Sequence, residues 1–310
     1  MSKIEDIASQ HLGKAGDGSV VKPYVTPDSV DASLLVPIPR KLNRDQYNIE
    51  EDNLPFIGYD TWNCYEFSFL LDSGYPVSGI LKIVYPCDSK FIVESKSIKL
   101  YLNSFNMMTI PGDYIEAINE ATALISHTLS KALETTVKVY FHVKTYGDDA
   151  DFMFGQFEPL EEAVDIEKDN FNYYNEDPNI LKKENKGALD NFAVKTNALR
   201  SNCRVTNQPD WGDVFIVIKG EEVPTKLSLL QYIISMRKEN HFHEEICECI
   251  FKRLHTLLPK AKILVACLYT RRGGIDINPV RTNDINLMSE TNLINDLIDY
   301  KVPFTKTARQ

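Results

Sequence analysis

The stretch from Leu199 to Lys219, LRSNCRVTNQPDWGDVFIVIK, predicts two strands joined by a turn. Both Leu199–Thr206 and Val214–Lys219 are rich in apolar and β-branched residues, and the Pro209–Gly212 segment between them is typical of a turn. The spacing of apolar residues then predicts two helices and two more strands, at Lys226–Met236, Phe242–Leu257, Lys262–Tyr269 and Ile275–Ile277. This part of the chain therefore has the order β-β-α-α-β-β.

An earlier block of the chain has a similar order of elements. Its predicted strands are Cys64–Leu71, Gly79–Tyr85 and Thr135–Lys144, and its predicted helices are Lys99–Phe105, entered through Glu94–Ser97, and Asp113–Leu133. A strand at Met153–Phe157 would complete the copy. Two such copies indicate an internal duplication of about 100 residues, which is too long a period for a solenoid. The predicted fold class is α+β, with two modules, each an antiparallel sheet with two helices packed on one face.

The chain divides into four predicted segments. Residues 1–50 are irregular, 51–158 form the first module, 159–190 an acidic connector and 191–310 the second module. The connector is dense in Asp, Glu and Asn. It also contains Tyr173, Tyr174 and Pro178, so we expect it to be partly ordered.

Composition limits the function classes. The chain has 310 residues, 43% of them hydrophobic, with a net charge of -10 and a pI of about 5.2. This acidity argues against a broad nucleic-acid surface but leaves room for a local site that binds an anionic cofactor. Residues 1–18 lack the apolar core of a signal peptide, and no run approaches the ~18 apolar residues of a membrane span. We expect a cytoplasmic protein whose six cysteines are free thiols.

The first candidate site is the pair Cys203 and Asp210. The cysteine ends a predicted strand, and the aspartate follows seven residues later in the predicted Pro209–Gly212 turn. A thiol must lose its proton to act as a nucleophile, and a nearby carboxylate could take and return that proton if burial raises its pKa toward neutrality. The alternative is a buried structural cysteine beside an ordinary turn, because free cysteine is among the most buried residue types.

A second candidate lies where a strand meets a helix, in Val93-Glu94-Ser95-Lys96-Ser97. Backbone N–H groups at a helix start can hold an anion, and Lys96 and Lys99 add positive charge. The Glu94 carboxylate could accept hydrogen bonds from the N–H edge of a purine. The alternative is a capped amphipathic helix with solvated lysines.

Two further stretches remain ambiguous on pattern alone. In His241–Cys249, His243 and Cys247 have a spacing that could place them on one helix face as zinc ligands, but Cys247 and Cys249 do not, and a plain helix start with solvated charges is the stronger alternative. In Tyr269–Pro279, paired arginines at a Gly-Gly turn suit either a phosphate clamp or a solvated hairpin tip.

Together and in this order, these stretches resemble one family, the bimodular NADPH-dependent 7-cyano-7-deazaguanine reductases of queuosine biosynthesis. That family belongs to the tunnelling-fold superfamily. The similar stretches are DASLL (31–35), DNLPFIGYDTW (52–62), ESKSIKLYLNSFN (94–106), SNCRVTNQPDWG (201–212), HFHEEIC (241–247) and YTRRGGIDINPVR (269–281). They are distributed over nearly the whole chain. The implied fold is a tandem of two tunnelling-fold modules.

The resemblance also implies a role for each matched residue. Cys203 would be the nucleophile that forms a covalent thioimidate with the nitrile carbon, and Asp210 the proton donor. The deazapurine substrate would contact Val93, Glu94, Ser95, His243 and Glu244, and the cofactor NADPH would contact Ser95, Lys96, Arg272 and Gly273. No metal is implied. Because Glu94 belongs to one module and Cys203 to the other, a single site would need both.

The implied reaction reduces the nitrile to an aminomethyl group for tRNA modification, through an imine that must be kept from water. The implied partners are a small-molecule substrate and a second copy in a homodimer, with no direct nucleic acid and no membrane. Two alternatives remain: an amidine-forming relative without hydride transfer, and a non-catalytic binding protein of the same fold. The Glu94–Lys99 stretch with Arg272 and Gly273 argues against the first, and intact Cys203, Asp210 and Glu94 argue against the second.

Overall fold

A computed structural model describes residues 29–142, 156–165, 167–291 and 296–301, together with Thr307 and Gln310. The strand expected at Met153–Phe157 falls mostly outside these residues, as do residues 1–28 of the irregular segment. Within the described ranges, we find no helix that combines the length and the apolar character needed to cross a bilayer.

Two short elements of the N-terminal segment, β1 (Pro37–Pro39) and α1 (Lys41–Arg44), precede the first module. The described elements of that module are β2 (Ile57–Leu70), β3 (Pro76–Pro86), β4 (Phe91–Val93), α2 (Ser95–Asn103), α3 (Tyr114–Leu133) and β5 (Lys138–His142). Both predicted helices and the predicted strands Cys64–Leu71, Gly79–Tyr85 and Thr135–Lys144 of this block are found, with β2 and β3 longer than expected and β5 beginning later. Helix α3 starts where the sequence indicates, because Asp113 accepts hydrogen bonds from the backbone N–H groups of Ile115 and Glu116.

The second module repeats the order of the longer elements, β-β-α-α-β. Its elements are β6 (Glu158–Pro159), β7 (Lys183–Cys203), β8 (Pro209–Pro224), α4 (Lys226–Ser235), β9 (Asn240–His241), α5 (His243–Leu257), β10 (Lys262–Tyr269), β11 (Ile275–Thr282) and α6 (Ile285–Glu290). The β10 bounds match the prediction, and the β7, β8 and β11 strands extend beyond it. The extra length of β7 and β8 comes from pairing along their full ladder, and that of β11 from its pairing with β2, which local sequence patterns do not show.

The hairpin that carries Cys203 differs from the predicted hairpin in the position of its turn. The turn is Arg204–Gln208, with Asn207 in the left-handed region at φ 55, and Pro209–Gly212 belongs to strand β8. Asp210 therefore pairs with Ser201 across the ladder and is not in a turn. The prolyl and glycyl residues that indicated a turn are accommodated at the start of the strand.

The two modules share one sheet. Within the described residues, eight of its nine strands follow the order β5-β3-β2-β11-β10-β8-β7-β6, and β9 pairs with β7 off this path. Strands β6 and β9 are parallel to β7, and the other pairs are antiparallel. The last strand of the second module, β11, pairs with the first long strand of the first module, β2, from Ile275 opposite Cys64 to Thr282 opposite Ile57. The expected antiparallel sheets are thus confirmed but joined edge to edge. The four-segment division of the chain stays a prediction.

Helices cover one face of this sheet in both modules. Apolar side chains of α2 and α3 pack on β2 and β3, whereas those of α4 and α5 pack on β7, β8 and β10. On the opposite face, α6 covers a smaller cluster that includes Phe215, Leu264 and Val280. The second face is therefore partly buried as well.

Buried ion pairs fix the seam between the modules. Arg281 of β11 bonds Asp60 of β2 at 2.8 Å and Glu248 of α5 at 3.0 Å, and all three side chains are buried. From the N-terminal segment, Arg44 reaches Glu248 at 2.8 Å and Arg40 pairs with Asp60. Removing one partner of such a network would leave a buried charge uncompensated, at a cost of about 3–5 kcal/mol.

The connector is packed against the second module, as its aromatic content indicated. Glu176 accepts hydrogen bonds from Arg253 of α5 at 2.8 and 3.0 Å, and from the Tyr232 hydroxyl of α4 at 2.9 Å. These contacts tie the described part of the connector to both helices of that module.

Candidate active site

One cleft lies at the seam of the two modules, with a space of about 590 Å³ including its open mouth. The residues that line it are Trp62, Val93, Glu94, Ser95, Lys96, Cys203, Thr206, Asp210, His241, Phe242, His243, Glu244, Arg272, Ile275 and Ile277. Every predicted site residue is in this set except Gly273. It follows Arg272 in the sequence and lies beside the Lys96 ammonium group. The structure therefore brings residues of both modules together.

Cys203 is placed by the β7–β8 hairpin. The Cys203 N–H donates to the Gln208 carbonyl at 2.8 Å, and the Cys203 carbonyl accepts from the Asn207 N–H at 2.9 Å. Because Asp210 pairs with Ser201, and alternate residues of a strand share a face, Cys203 and Asp210 project to the same side of the hairpin. Of the six cysteines, five are buried and Cys203 is partly exposed.

Asp210 is held by two basic groups. Its Oδ1 accepts from Arg272, and its Oδ2 lies 3.4 Å from His243 Nε2. Burial alone would raise the pKa of this carboxyl, but the hydrogen bonds and charges of His243 and Arg272 outweigh it, so the pKa of Asp210 lies below its usual value. The sequence argument required a pKa raised toward neutrality, and this was wrong: the side chain is a carboxylate.

His243 begins helix α5 and lies flat on Tyr269, with ring centroids 3.8 Å apart and planes inclined by 10°. With Nε2 facing Asp210, its Nδ1 is buried and has no hydrogen-bond partner among the described residues. The stacking fixes the ring, and the second nitrogen remains able to bond a ligand.

Glu244 follows on the same helix and is 2% exposed. Burial, then the charge of Asp60, raise the pKa of Glu244 to about 8. Its Oε1 lacks a hydrogen-bond partner within the described ranges. The expectation of solvated charges at this helix start was therefore wrong, since Glu244 and Glu245 are both buried. A buried carboxyl oxygen that lacks a partner and lines a cleft is a candidate ligand-binding atom.

Glu94 contributes a second buried carboxyl group, from the first module. It is the N-cap of α2: Oε2 accepts from the Ser97 N–H at 2.7 Å, and Oε1 lies 3.4 Å from the Ser95 hydroxyl. Burial raises the pKa of Glu94 above its usual value, against the effect of the hydrogen bonds from this helix start. The cleft thus presents carboxyl groups from both modules to a ligand with several N–H donors.

A positively charged side of the cleft is formed by Lys96 and Arg272. Burial and then the charge of Arg272 lower the pKa of Lys96, and both side chains line the cleft. An anion between them would relieve this repulsion. Because a phosphate accepts hydrogen bonds from both kinds of side chain, these residues suit a phosphorylated cofactor.

The cysteines that suggested zinc lie in the core. Cys247 Sγ is 3.6 Å from the Val265 carbonyl and 3.5 Å from the Pro279 carbonyl, and Cys249 Sγ is 3.5 Å from the Tyr232 hydroxyl. Both are fully buried, and no group of three or more potential metal ligands is found in the described part of the chain. These two cysteines pack the second module.

Six lining residues were not among the predicted site residues: Trp62, Thr206, His241, Phe242, Ile275 and Ile277. All six lie in stretches that had been singled out, but for Trp62, Ile275 and Ile277 only the register of β2 and β11 shows that they face the cleft. Alternation along β11 from Ile275 to Ile277 was a usable signal.

Comparison with known proteins agrees with this geometry. Residues 26–141 match a family described as "Nitrile reductase, 7-cyano-7-deazaguanine-reductase N-term", and residues 209–286 match one described as "QueF-like protein". A protein of Cupriavidus metallidurans named NADPH-dependent 7-cyano-7-deazaguanine reductase is 41% identical over 264 residues, which cover 84% of this chain and 91% of the relative. Proteins of the same name from Colwellia psychrerythraea and Rickettsia canadensis are 34% and 39% identical over 90% and 86% of this chain, and over 91% and 94% of their own lengths. The chain therefore belongs to the family of 7-cyano-7-deazaguanine reductases, as the resemblance of its motifs indicated.

Proposed function

We propose that this protein reduces the nitrile of 7-cyano-7-deazaguanine to an aminomethyl group, with NADPH as the source of hydride. The observation that supports this most directly is the composition of the cleft. It combines a partly exposed thiol, a buried carboxylate on the same face, two further buried carboxyl groups and two cations. The names of the relatives supply the same reaction.

Substrate binding is assigned to Val93, Glu94, Ser95, His243 and Glu244. A deazaguanine has a row of N–H donors along one edge, Glu244 Oε1 is a buried acceptor without a partner among the described residues, and the Glu94 carboxyl, which caps α2, lines the same cleft. His243 Nδ1 offers one further polar contact. The ligand would thus satisfy groups that are otherwise buried at a cost.

The covalent step uses Cys203 and Asp210. The ionised Asp210 accepts the thiol proton, the sulfur forms a bond to the nitrile carbon, and one π bond of the nitrile breaks. The nitrile nitrogen then takes the proton from Asp210, which leaves a neutral thioimidate on Cys203 and restores the carboxylate. The lowered pKa of Asp210 suits this order of events, because the residue is a base before it is a proton donor.

The cofactor is assigned to Ser95, Lys96, Arg272 and Gly273. When bound, NADPH supplies the hydride that the C=N group needs. Lys96 and Arg272 would bind phosphate oxygens, and Gly273, at φ 58, lets the backbone approach closely. The Arg272–Asp210 bond also connects this group of residues with the proton-transfer residue.

The wider setting is a proposal as well. The amine would serve queuosine modification of tRNA, the protein would be cytoplasmic, and it would act on a small molecule without binding nucleic acid directly. We expect a homodimer, because tunnelling-fold modules close into barrels by association.

The test is to mix the protein with 7-cyano-7-deazaguanine and NADPH, and to follow the cofactor's absorbance and the amine by mass spectrometry. We expect about two NADPH oxidised for each amine formed, because the nitrile takes up two hydrides. A thioimidate on Cys203 without NADPH oxidation would instead favour the amidine-forming relative. Substrate binding with neither adduct nor oxidation would favour a non-catalytic binding protein.

A further inference from the structure

His241 lines the cleft, yet none of the roles proposed above uses it. Its side chain is buried. It lies in the short strand β9, which pairs in parallel with the end of β7 so that His241 stands opposite Cys203. The next residue, Phe242, precedes helix α5, whose start carries His243 and Glu244. His241 therefore connects the strand end that carries the proposed nucleophile with the helix start that is assigned to the substrate.

Both nitrogens of the His241 ring contact side chains of the surrounding segments. Nε2 lies 2.9 Å from the Tyr47 hydroxyl of the N-terminal segment and 3.5 Å from a carboxylate oxygen of Glu239, which precedes β9. Nδ1 lies 3.3 Å from Glu245 on α5. It is also 3.5 Å from the guanidinium of Arg204, at the start of the β7–β8 turn. The ring is thus fixed between the N-terminal segment, the β7–β8 turn and α5.

An ion pair with little exposure to solvent completes this group. Arg204 Nη1 lies 2.8 Å from Glu245 Oε2, and the two side chains are 9% and 7% exposed. The same Glu245 oxygen accepts a 2.9 Å hydrogen bond from the Phe242 N–H. On the backbone, the Asn202 N–H donates to the Glu239 carbonyl at 2.8 Å. Because charges at this depth are little screened by salt, these contacts hold the end of β7, its turn and the start of α5 together.

The charges of this group balance when His241 is protonated, since an imidazolium and Arg204 then match the carboxylates of Glu239 and Glu245. Burial alone would lower the pKa of His241, as does the charge of Arg204. The hydrogen bonds with Glu239 and Glu245 and the charge of Glu245 outweigh both effects, so the pKa of His241 lies above its usual value. Below this pKa the ring donates from both nitrogens, and above it one donor and the charge are lost. The connection therefore weakens as pH rises through the pKa of His241.

We propose, on the basis of the covalent step proposed above, that His241 is a positioning residue, which holds the Cys203 sulfur at a fixed place relative to a nitrile bound at the start of α5. It acts through β9 and through Arg204, without contact with the reacting atoms. Attack on a bound nitrile requires alignment, and a displacement of about 1 Å can lower such a rate by about 10²-fold. A small electrophile that diffuses freely requires only an accessible thiol. The two kinds of reaction therefore distinguish the position of the thiol from its reactivity.

The test compares wild type with His241→Gln, which keeps a polar side chain but cannot carry the charge. Adduct formation with saturating 7-cyano-7-deazaguanine and no NADPH, followed by intact-mass spectrometry, should be about ten- to a hundredfold slower in the variant near about pH 6.5. Between this pH and about pH 9, the ratio of wild-type to variant rate should fall by about threefold or more, because His241 loses its proton and other ionisations occur in both proteins. Alkylation of Cys203 by iodoacetamide should proceed at the same rate in both.

Two further variants serve as a second probe and a control. Tyr47→Phe removes only the hydroxyl beside Nε2 and should slow adduct formation by about two- to fivefold. His127→Gln, at an exposed position of α3, is the matched control for the loss of an imidazole and should change neither rate. Equal adduct rates in wild type and His241→Gln, a rate ratio that does not change with pH, or an equal loss in the alkylation rate would each overturn the proposal.

Failure of the proposed covalent step would be recognised separately, as a wild type that forms no adduct. Amide hydrogen exchange then tests His241 without any substrate. The Asn202 N–H, which is bonded to the Glu239 carbonyl, should exchange faster in His241→Gln than in wild type. Equal exchange in the two proteins would show that the His241 side chain does not hold β9 against β7.

Discussion

The two modules repeat one order of elements, yet each contributes different positions of that order to the cleft. In the first module the start of the first helix, Glu94 of α2, lines it; in the second it is the start of the second helix, His243 and Glu244 of α5. The equivalent helix starts, Asp113 and Thr225, are not in the lining that the described residues define.

The hairpins differ in the same way. The β7–β8 turn places Cys203 and Asp210 in the cleft, whereas the equivalent β2–β3 turn is a plain connection, closed by a 2.8 Å bond from the Gly74 N–H to the Leu71 carbonyl. The common framework therefore supplies equivalent positions, at which the two modules carry different side chains. One copy alone would contain either Glu94, the proposed acceptor, or Cys203, the proposed nucleophile.

Replacement of Cys203, on the β7–β8 hairpin, should have the largest effect. We expect Cys203→Ala to form no covalent adduct with 7-cyano-7-deazaguanine in the absence of NADPH, because the other five thiols are buried. Intact-mass spectrometry of wild type and variant checks this. An adduct that persists in Cys203→Ala would remove the functional difference between the two hairpins.

The second-largest effect is expected for Asp210→Asn, which should fold normally but turn over slowly. An amide can neither accept the thiol proton nor return it, so we expect kcat to fall by about 10²- to 10⁴-fold. Because Asn lacks the negative charge that pairs with Arg272, KM for NADPH should be measured beside kcat. A kcat within about threefold of wild type, less than ~1 kcal/mol, would contradict the proton-transfer role.

Substitutions on the two sides of the cleft should have different effects on NADPH binding and on adduct formation. Lys96→Ala and Arg272→Ala should each raise KM for NADPH by about ten- to a hundredfold and still form the adduct, because each loses a charge-assisted phosphate contact. Glu94→Ala should do the reverse, with poor adduct formation and little change in NADPH affinity. Titration with NADPH beside mass detection of the adduct distinguishes these classes, and Lys96→Ala that loses the adduct but keeps its cofactor affinity would reverse the assignment.

The buried carboxyl of Glu244 predicts a pH dependence for substrate binding. The acceptor that a purine N–H edge needs is the carboxylate, and the pKa of Glu244 is raised to about 8, so below that pH the group must first lose a proton. Substrate affinity should therefore rise by about tenfold between about pH 7 and pH 9 and then level off. Glu244→Gln should bind more weakly and without this dependence. A wild-type affinity that is flat over the same range would show that Glu244 is already ionised.

Sequence patterns predicted the helices well, because their determinants are local. Asp113 caps α3, Glu94 caps α2, and apolar residues recur at helical spacing behind both. The strands were less predictable, since the length of β7 depends on its pairing with β8 and the turn signals of Pro209–Gly212 lie inside a strand. The joining of the two sheets through β11 and β2 is a contact between distant parts of the chain, which no local pattern indicates.

In the site, too, the features set by the local sequence were predictable, whereas those set by contacts between distant residues were not. The residue types at Cys203, Asp210 and Glu94 were evident from the sequence, and the resemblance supplied their roles. The pKa of Asp210 was not evident, because the groups that lower it, His243 and Arg272, lie on another helix and another turn. Similarly, no residue near Glu244 in the sequence indicates that the charge of Asp60, on β2, raises its pKa.

The smallest effect should come from the second helix start of the first module, which tests whether capping alone explains Glu94. Asp113 is also an N-cap carboxylate, with bonds of 2.9 Å to the Ile115 and Glu116 N–H groups, but it is exposed and outside the lining of the cleft as described. We expect Asp113→Ala to cost about 1 kcal/mol of stability, a fall of about 2 °C in Tm, with kcat and both KM values unchanged. Thermal unfolding and steady-state kinetics of Asp113→Ala and Glu94→Ala, compared side by side, separate a helix cap from a binding group. If Asp113→Ala lowers activity as much as Glu94→Ala does, the effect of Glu94 is structural, and the division of chemistry between the two modules loses its main support.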